Sequence, residues 1–167
     1  MYRTLEDFLE DHKELAGGST RLFERLTDGN LGQPVTGDHR TLGGIAWHLV
    51  VSIPEMMNRT GLGLSSVDSE APPPTSAAEI RKGYAKASSE LAAAVRSQWK
   101  DATLLQKDDM YGETWARGKT LAVLVHHEIH HRGQMTVLLR QAGSTVPGIF
   151  GPSKEEWSGF GMAPPSY

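Results

Sequence analysis

The chain has 167 residues, 38% apolar and 22% charged, which suits one globular domain with a substantial core, and its net charge of −3 gives no reason to expect nucleic-acid binding. It contains no cysteine, which excludes disulfides, thiolate metal ligands, iron–sulfur clusters and a cysteine nucleophile, so any thiol must come with a substrate. Residues 1–7 lack the hydrophobic core of a signal peptide and no apolar run is long enough to span a bilayer, so we expect a cytoplasmic protein with no membrane partner.

The first predicted helix covers residues 4–27. Its apolar residues recur with helical spacing, and Thr4 is a suitable N-cap with Asp7 three residues further on. His12 and Ser19 fall on the same apolar stripe. They are either satisfied core groups or, for Ser19, part of a polar cavity inside a helical bundle.

The second and third predicted helices cover residues 41–60 and 76–99, joined by a proline-rich linker over residues 62–75. His48 lies beside the apolar face of the second helix. Ser76 and Glu79 have the spacing of a capping box, which predicts the start of the third helix.

The fourth predicted helix covers residues 120–142, with Thr120 as its N-cap. The preceding segment, residues 101–118, is either a short β-hairpin or an irregular loop. Large apolar residues in the tail, residues 144–167, predict that it is ordered and packs over one end of the bundle. Four amphipathic helices with a long connection between the second and third indicate an all-α, up-down-type four-helix bundle forming a single domain over residues 1–167.

Four histidines lie close together in the fourth helix, and they divide into two pairs. Residues four apart share a helix face, so His127 and His131 project together, as do His126 and His130. Two imidazoles at this spacing can bind one divalent metal at about 2.0–2.1 Å. The apolar pattern slightly favours the 127/131 pair as the inward one. The 126/130 pair is then either exposed or contacts and orients the metal-binding side chains.

A third metal ligand has to come from elsewhere in the chain, and His48 is the preferred candidate over His12 and the loop residue His39. His48 lies seven residues after Thr41, and His127 seven after Thr120. At about 1.5 Å per residue both lie about 10 Å into their helices. If the second and fourth helices run parallel, the two side chains are level and can share a metal.

Two residues beside the histidines are candidate catalytic groups, Glu128 and Arg132. His127-Glu128-x-x-His131 also matches the zincin metalloprotease motif, in which the glutamate is a general base and Glu155 or Glu156 would be the third ligand. The scarcity of predicted strands argues against this reading. Because Glu128 is rotated about 100° from His127, we expect it at the surface or behind a ligand.

Three neighbouring side chains have alternative roles. Arg132 either binds a substrate carboxylate or pairs with Glu128 or Asp109 to hold the helix. Gln134 is positioned to hydrogen-bond a ligand imidazole. Trp47 and Trp115 are either walls of a pocket or ordinary core residues.

The sequence resembles the DinB/YfiT-like family. The resemblance rests on His127, His131 and Arg132-Gly133-Gln134, on His48 in its apolar context, and on Gly151-Pro152-Ser153 with Glu156-Trp157 in the tail. It implies a four-helix bundle in which His48, His127 and His131 bind a divalent metal ion, zinc or nickel, and which is frequently a homodimer. It also implies a small-molecule substrate and, in several relatives, a low-molecular-weight thiol cosubstrate such as bacillithiol, mycothiol or glutathione.

The predicted ligand set is compatible with more than one activity. An open coordination position accepts water, for hydrolysis, or a substrate thiol, for S-transfer. The resemblance favours S-transfer. The alternative is a non-catalytic bundle in which the metal braces the fold or the protein binds a small ligand without turnover.

Overall fold

The computed structural model describes residues 1–166, and helices dominate that part of the chain. Its four α-helices are α1 (Leu5–Phe23), α2 (Leu42–Asn58), α3 (Ala77–Gln98) and α4 (Arg117–Gln141). An antiparallel hairpin of β1 (Lys107–Met110) and β2 (Glu113–Ala116) precedes α4, and short 3₁₀ helices lie at Asp101–Leu105 and Trp157–Phe160. The four-helix fold, the long connection between α2 and α3 and the short hairpin are therefore confirmed.

The helices form a bundle in which α1 and α2 each pack against both α3 and α4. The α2 and α3 helices run parallel, since Trp47 contacts Gly83 near their starts and Gln98 donates to the Leu62 carbonyl beyond the end of α2. The buried aliphatic and aromatic side chains of all four helices form one continuous core.

The prediction that α2 and α4 run parallel is wrong. Near the start of α2, Ile45 lies beside Leu138 in the last turns of α4. Near the end of α2, Glu55 accepts a hydrogen bond from Tyr111, in the hairpin that leads into α4. The two helices are therefore antiparallel neighbours, and the loop before α2 lies beside the C-terminal turns of α4.

The first helix begins as predicted but ends earlier. Thr4 Oγ1 accepts a hydrogen bond from the Asp7 amide, which confirms the N-cap. The helix stops at Phe23 rather than Thr27, because the Asn30 side chain accepts from the Thr27 amide and donates to the Arg25 carbonyl. These side-chain hydrogen bonds compete with continuation of the helix.

Two predicted N-caps do not form. Ser76 precedes α3 but makes no capping hydrogen bond, and the Ala77 amide donates instead to Asp28 Oδ1 at 2.8 Å, from the loop after α1. Thr120 is buried inside α4, which begins directly after β2 with Ala116 as its N-cap residue. The helix therefore begins at Arg117, directly after the strand, whereas the sequence pattern predicts a start at residue 120.

Over its described residues the tail does not bury its large apolar groups as predicted. Val146 joins the core, whereas Phe150, Phe160 and Met162 are 79%, 63% and 52% exposed. Polar contacts hold the tail instead, including the Arg140–Glu155 ion pair. None of the helices within residues 1–166 combines the length and apolar character that crossing a membrane requires.

Candidate metal centre

Three imidazoles meet between α2 and α4. His48 Nε2 lies 3.1 Å from His127 Nε2, which in turn lies 3.1 Å from His131 Nε2. The three ring-nitrogen donors all fall within 4.8 Å of one another. The structure thus brings together the three histidines that the sequence predicts as ligands, all of them half-buried.

Helix geometry explains this convergence. His127 and His131 are four residues apart on α4 and share one face. On α2, Trp47 turns towards α3, where its ring contacts Gly83 and its Nε1 donates to the Ala71 carbonyl. The next residue, rotated by about 100°, is His48, and it therefore faces α4.

The donor set fits a divalent ion. Two nitrogens that each lie about 2.0–2.1 Å from one metal are about 2.8–3.4 Å apart for angles between 90° and tetrahedral. The observed separations of 3.1 Å fall in this range. Within residues 1–166, no Asp, Glu or Cys side chain joins the group. Three imidazoles without a fourth protein ligand are typical of a site with an open coordination position.

The protonation of the histidines suits coordination. Burial, together with the neighbouring imidazoles and the charge of Arg40, lowers the pKa of His48 and of His127 to about 4. Burial also lowers the pKa of His131. The rings are therefore neutral at pH 7, the form that binds metals.

A hydrogen bond orients His131. Gln134 Oε1, which only accepts, lies 2.7 Å from His131 Nδ1, so this nitrogen carries the proton and Nε2 keeps its lone pair. The predicted role of Gln134 beside an imidazole is confirmed as a hydrogen bond. His127 Nδ1 is buried and has no partner within residues 1–166.

The remaining histidines lie outside this group. His126 and His130 are exposed, and the His130 ring lies 4.9 Å from that of His131. His39 is exposed in the loop before α2, whereas His12 is buried and hydrogen-bonds to the Ser88 carbonyl.

Glu128 is placed differently from the prediction. It is only 3% exposed, and its Oε1 accepts hydrogen bonds of 2.5 Å from both Ser19 Oγ and Tyr84 Oη. These partners belong to α1 and α3, away from the α2–α4 interface that holds the histidines. A surface position is therefore wrong, and the carboxylate does not have the placement of a zincin general base. Ser19 does belong to a buried polar cluster.

Arg132 is also buried and faces α1. Its Nη1 donates to the Leu15 carbonyl at 3.1 Å and lies 3.4 Å from Ser19 Oγ, while the Phe150 ring covers the guanidinium. Glu128 is a nearby opposite charge. Asp109 does not pair with it and instead accepts from the Gly112 amide. Arg132 therefore connects α1, α4 and the tail, which is a structural role, but the predicted pairing with Glu128 or Asp109 is wrong: neither carboxylate lies within 4.0 Å of the guanidinium.

Neither tryptophan walls the site. Trp47 packs towards α3, and Trp115 lies on the hairpin, with its ring near Tyr111 and Lys119. The cavity beside the histidines has a volume of about 440 Å³ and other walls. It includes Arg40, which the sequence analysis did not single out. The available signal was its position directly before Thr41, the N-cap residue of the helix that carries His48.

Comparisons with known proteins agree with this fold. The family model described as the DinB family matches residues 1–165. The chain is 43% identical over 165 residues to the uncharacterized protein YrdA of Bacillus subtilis strain 168, covering 99% of each chain. It is similar to the crystal structure of a DinB-like protein from Bacillus cereus ATCC 10987, with 40% identity and a TM-score of 0.86, covering 90% of this chain and 100% of that one.

A second solved structure, the DinB-like protein YjoA of Bacillus subtilis, is similar in fold alone. It has 18% identity and a TM-score of 0.69, covering 86% of this chain and 97% of that one.

Proposed function

The chain belongs to the DinB family, and we propose that His48, His127 and His131 bind one divalent metal ion, zinc or nickel, for a reaction on a small molecule. The reaction we favour is S-transfer from a low-molecular-weight thiol, with metal-dependent hydrolysis as the second candidate. Arg132 and Glu128 are assigned structural roles, because their contacts lie between α1, α3 and α4.

One observation carries this proposal: three neutral imidazole donors converge, with His127 Nε2 lying 3.1 Å from each of the other two, and within the part of the chain that the structure describes no carboxylate or thiolate joins them. Structural zinc sites are normally closed by four protein ligands. Three ligands leave a position for a substrate group, which supports an enzyme over a metal that only braces the bundle.

The histidines and Gln134 have distinct tasks in such a site. When bound, the ion supplies Lewis acidity that favours the ionised form of a thiol or a water molecule. Gln134 holds the proton of His131 on Nδ1 and thereby keeps Nε2 available as a donor. Burial keeps His48 and His127 unprotonated at neutral pH.

The preference for S-transfer rests on the family resemblance and on the composition of the chain. Since the protein contains no cysteine, it cannot supply a sulfur nucleophile itself. A thiol of the bacillithiol, mycothiol or glutathione type would fill that role as cosubstrate.

Metal content tests the site directly. We expect one metal ion per wild-type chain by elemental analysis, and loss of it in His48→Ala, His127→Ala and His131→Ala. His126→Ala is the matched control, because this exposed histidine of α4 lies outside the group. Full metal occupancy in the His48 variant would remove the third ligand and overturn the proposed site.

Spectroscopy of the cobalt- or nickel-substituted protein tests the reaction class. We expect a thiolate-to-metal charge-transfer band on titration with one of the three thiols. Metal binding without a response to any of the thiols would favour hydrolysis. Unfolding of the protein on chelation would instead indicate a structural metal.

A further inference from the structure

The cavity beside the candidate metal centre extends along α4. Its wall on this helix runs from His131 to Gln141, ten residues further on, which corresponds to about 15 Å at 1.5 Å per residue. The opposite wall is formed by Val35, His39, Arg40 and Ile45. An extended molecule can therefore lie along the helix with one end at the histidines.

The loop that carries Arg40 is braced against α2. Pro34 and Thr41 form an isolated antiparallel bridge, and the Val35 amide donates to the Arg40 carbonyl at 3.4 Å. The Leu42 amide donates to the Gln33 carbonyl at 2.8 Å, which ties the loop to the first turn of the helix. Arg40 therefore extends from a backbone with a defined position beside the cavity.

Arg40 is an exposed cation without an ion-pair partner among the described residues, and it lines a cavity that is mostly apolar but also includes His39, Gln134 and Gln141. Within residues 1–166, no carboxylate lies within 4.0 Å of its guanidinium, and no acidic residue lines this cavity. Its charge is close enough to lower the pKa of His48, His127 and His131. Val35, Ile45, Val137 and Leu138 supply the apolar surface.

We propose that the substrate of this site is an elongated, largely apolar molecule with a carboxylate, and that Arg40 binds this carboxylate while the reacting end lies at the histidines. The inference rests on the proposed function for the reacting end only. A single guanidinium matches a carboxylate in charge and in its two-pronged geometry. Arg40 is thus a specificity-determining residue and not a metal ligand.

Equilibrium titration by calorimetry tests the assignment, with 4-phenylbutanoate and its neutral amide as probes. We expect the nickel-loaded wild-type protein to bind the carboxylate about tenfold more tightly than the amide, as one charge-assisted contact allows. In Arg40→Gln the two affinities should become equal within about twofold. Arg25→Gln, which removes an exposed arginine outside the cavity, should keep the wild-type preference.

A thiol pair, 6-mercaptohexanoate and 6-mercaptohexanol, shows whether the carboxylate belongs to the cosubstrate. If only the thiol pair shows a preference for the carboxylate that depends on Arg40, the carboxylate belongs to the thiol cosubstrate. If the phenylbutanoate pair shows this preference, the carboxylate belongs to the other substrate. An Arg40→Gln protein that keeps both preferences, or a wild-type protein without either, would overturn the inference.

Metal stoichiometry on the same samples separates this inference from the proposed function. If the wild-type protein binds no metal, the proposed function fails, yet the titration of the metal-free protein still decides whether Arg40 selects carboxylates. If metal binds and Arg40→Gln discriminates as the wild type does, only the substrate assignment fails.

Discussion

The Glu128 carboxylate and the Tyr84 hydroxyl lie 2.5 Å apart inside the bundle, although Glu128 directly follows the candidate ligand His127 in sequence. Burial and the carboxylate both raise the pKa of Tyr84, so its hydroxyl keeps its proton and donates. The α4 helix therefore has two polar faces. One carries the histidines towards α2, and the other carries Glu128 and Arg132 towards α1 and α3.

Replacing Glu128 tests whether it acts in stability or in catalysis. We expect Glu128→Gln to destabilise the fold by about 1–3 kcal/mol, because it weakens the two hydrogen bonds that the buried carboxylate accepts from Ser19 and Tyr84. Metal occupancy should be unchanged. Urea unfolding and elemental analysis measure the two effects, and Glu14→Gln, at an exposed position of α1, is the control. Normal stability with lost activity would instead assign a catalytic role to Glu128.

Replacing Gln134 tests the support of His131. Gln134→Ala removes the acceptor of the Nδ1 proton, and we expect metal affinity to fall by about 10–100-fold. Competition with a chelating dye measures this affinity. Gln141→Ala, at an exposed position seven residues further along α4, should bind metal as the wild type does. An equal loss in both variants would contradict a specific role for the Gln134–His131 hydrogen bond.

The stability of the metal-free protein should depend on the histidines. Folding lowers the pKa of His48 and His127 from 6.5 to about 4. Between these values the unfolded chain binds more protons than the folded one, so stability falls as the pH is lowered through this window. In a His48→Gln/His127→Gln protein, the number of protons taken up on unfolding at pH 5 should decrease by about one to two per chain.

Urea unfolding of chelator-treated protein at pH 7.5 and pH 5 measures this dependence. His126→Gln, which changes an exposed histidine of α4, is the control, and its free energy of unfolding should depend on pH as that of the wild type does. If the free energy of unfolding of the double variant depends on pH as strongly as that of the wild type, the two imidazoles are not desolvated in the folded state.

Two adjacent glycines of α1 should respond in opposite directions to alanine. A Cβ at Gly18 would lie 2.9 Å from Arg132 Nη1 and 3.1 Å from Ile149 Cγ2, so Gly18→Ala should destabilise by about 1–3 kcal/mol. Gly17 is exposed, and its added Cβ would only meet Arg21 Nη1 at 3.9 Å. Gly17→Ala should therefore stabilise by about 0.5–1 kcal/mol through helix propensity. Thermal or urea unfolding of both variants measures the signs, and a Gly18→Ala protein as stable as the wild type would contradict the close approach of Arg132.

Local sequence patterns were sufficient to predict that four helices exist and to identify two of the three candidate ligands. Helical spacing places His127 and His131 on one face whatever the helix packs against, and a Gln134 three residues after His131 is within reach of its ring. The N-cap at Thr4 is similarly local. By contrast, α3 is capped by Asp28, 49 residues from Ala77, and no pattern around Ser76 indicates this.

The sequence by itself determined the four-helix class and the histidine pair on α4, because these depend on periodicity and residue type. His48 was a candidate by its residue type and apolar context, whereas the argument from equal depth in parallel helices does not hold. Only the tertiary structure decided that α2 runs antiparallel to α4, and so which loop lies beside the histidines. It also decided that Glu128 and Arg132 are buried against α1 and α3, and that Arg40 borders the cavity. The physical reason is that each of these features depends on which helix a given face packs against, and that choice is made by the fit of the whole core.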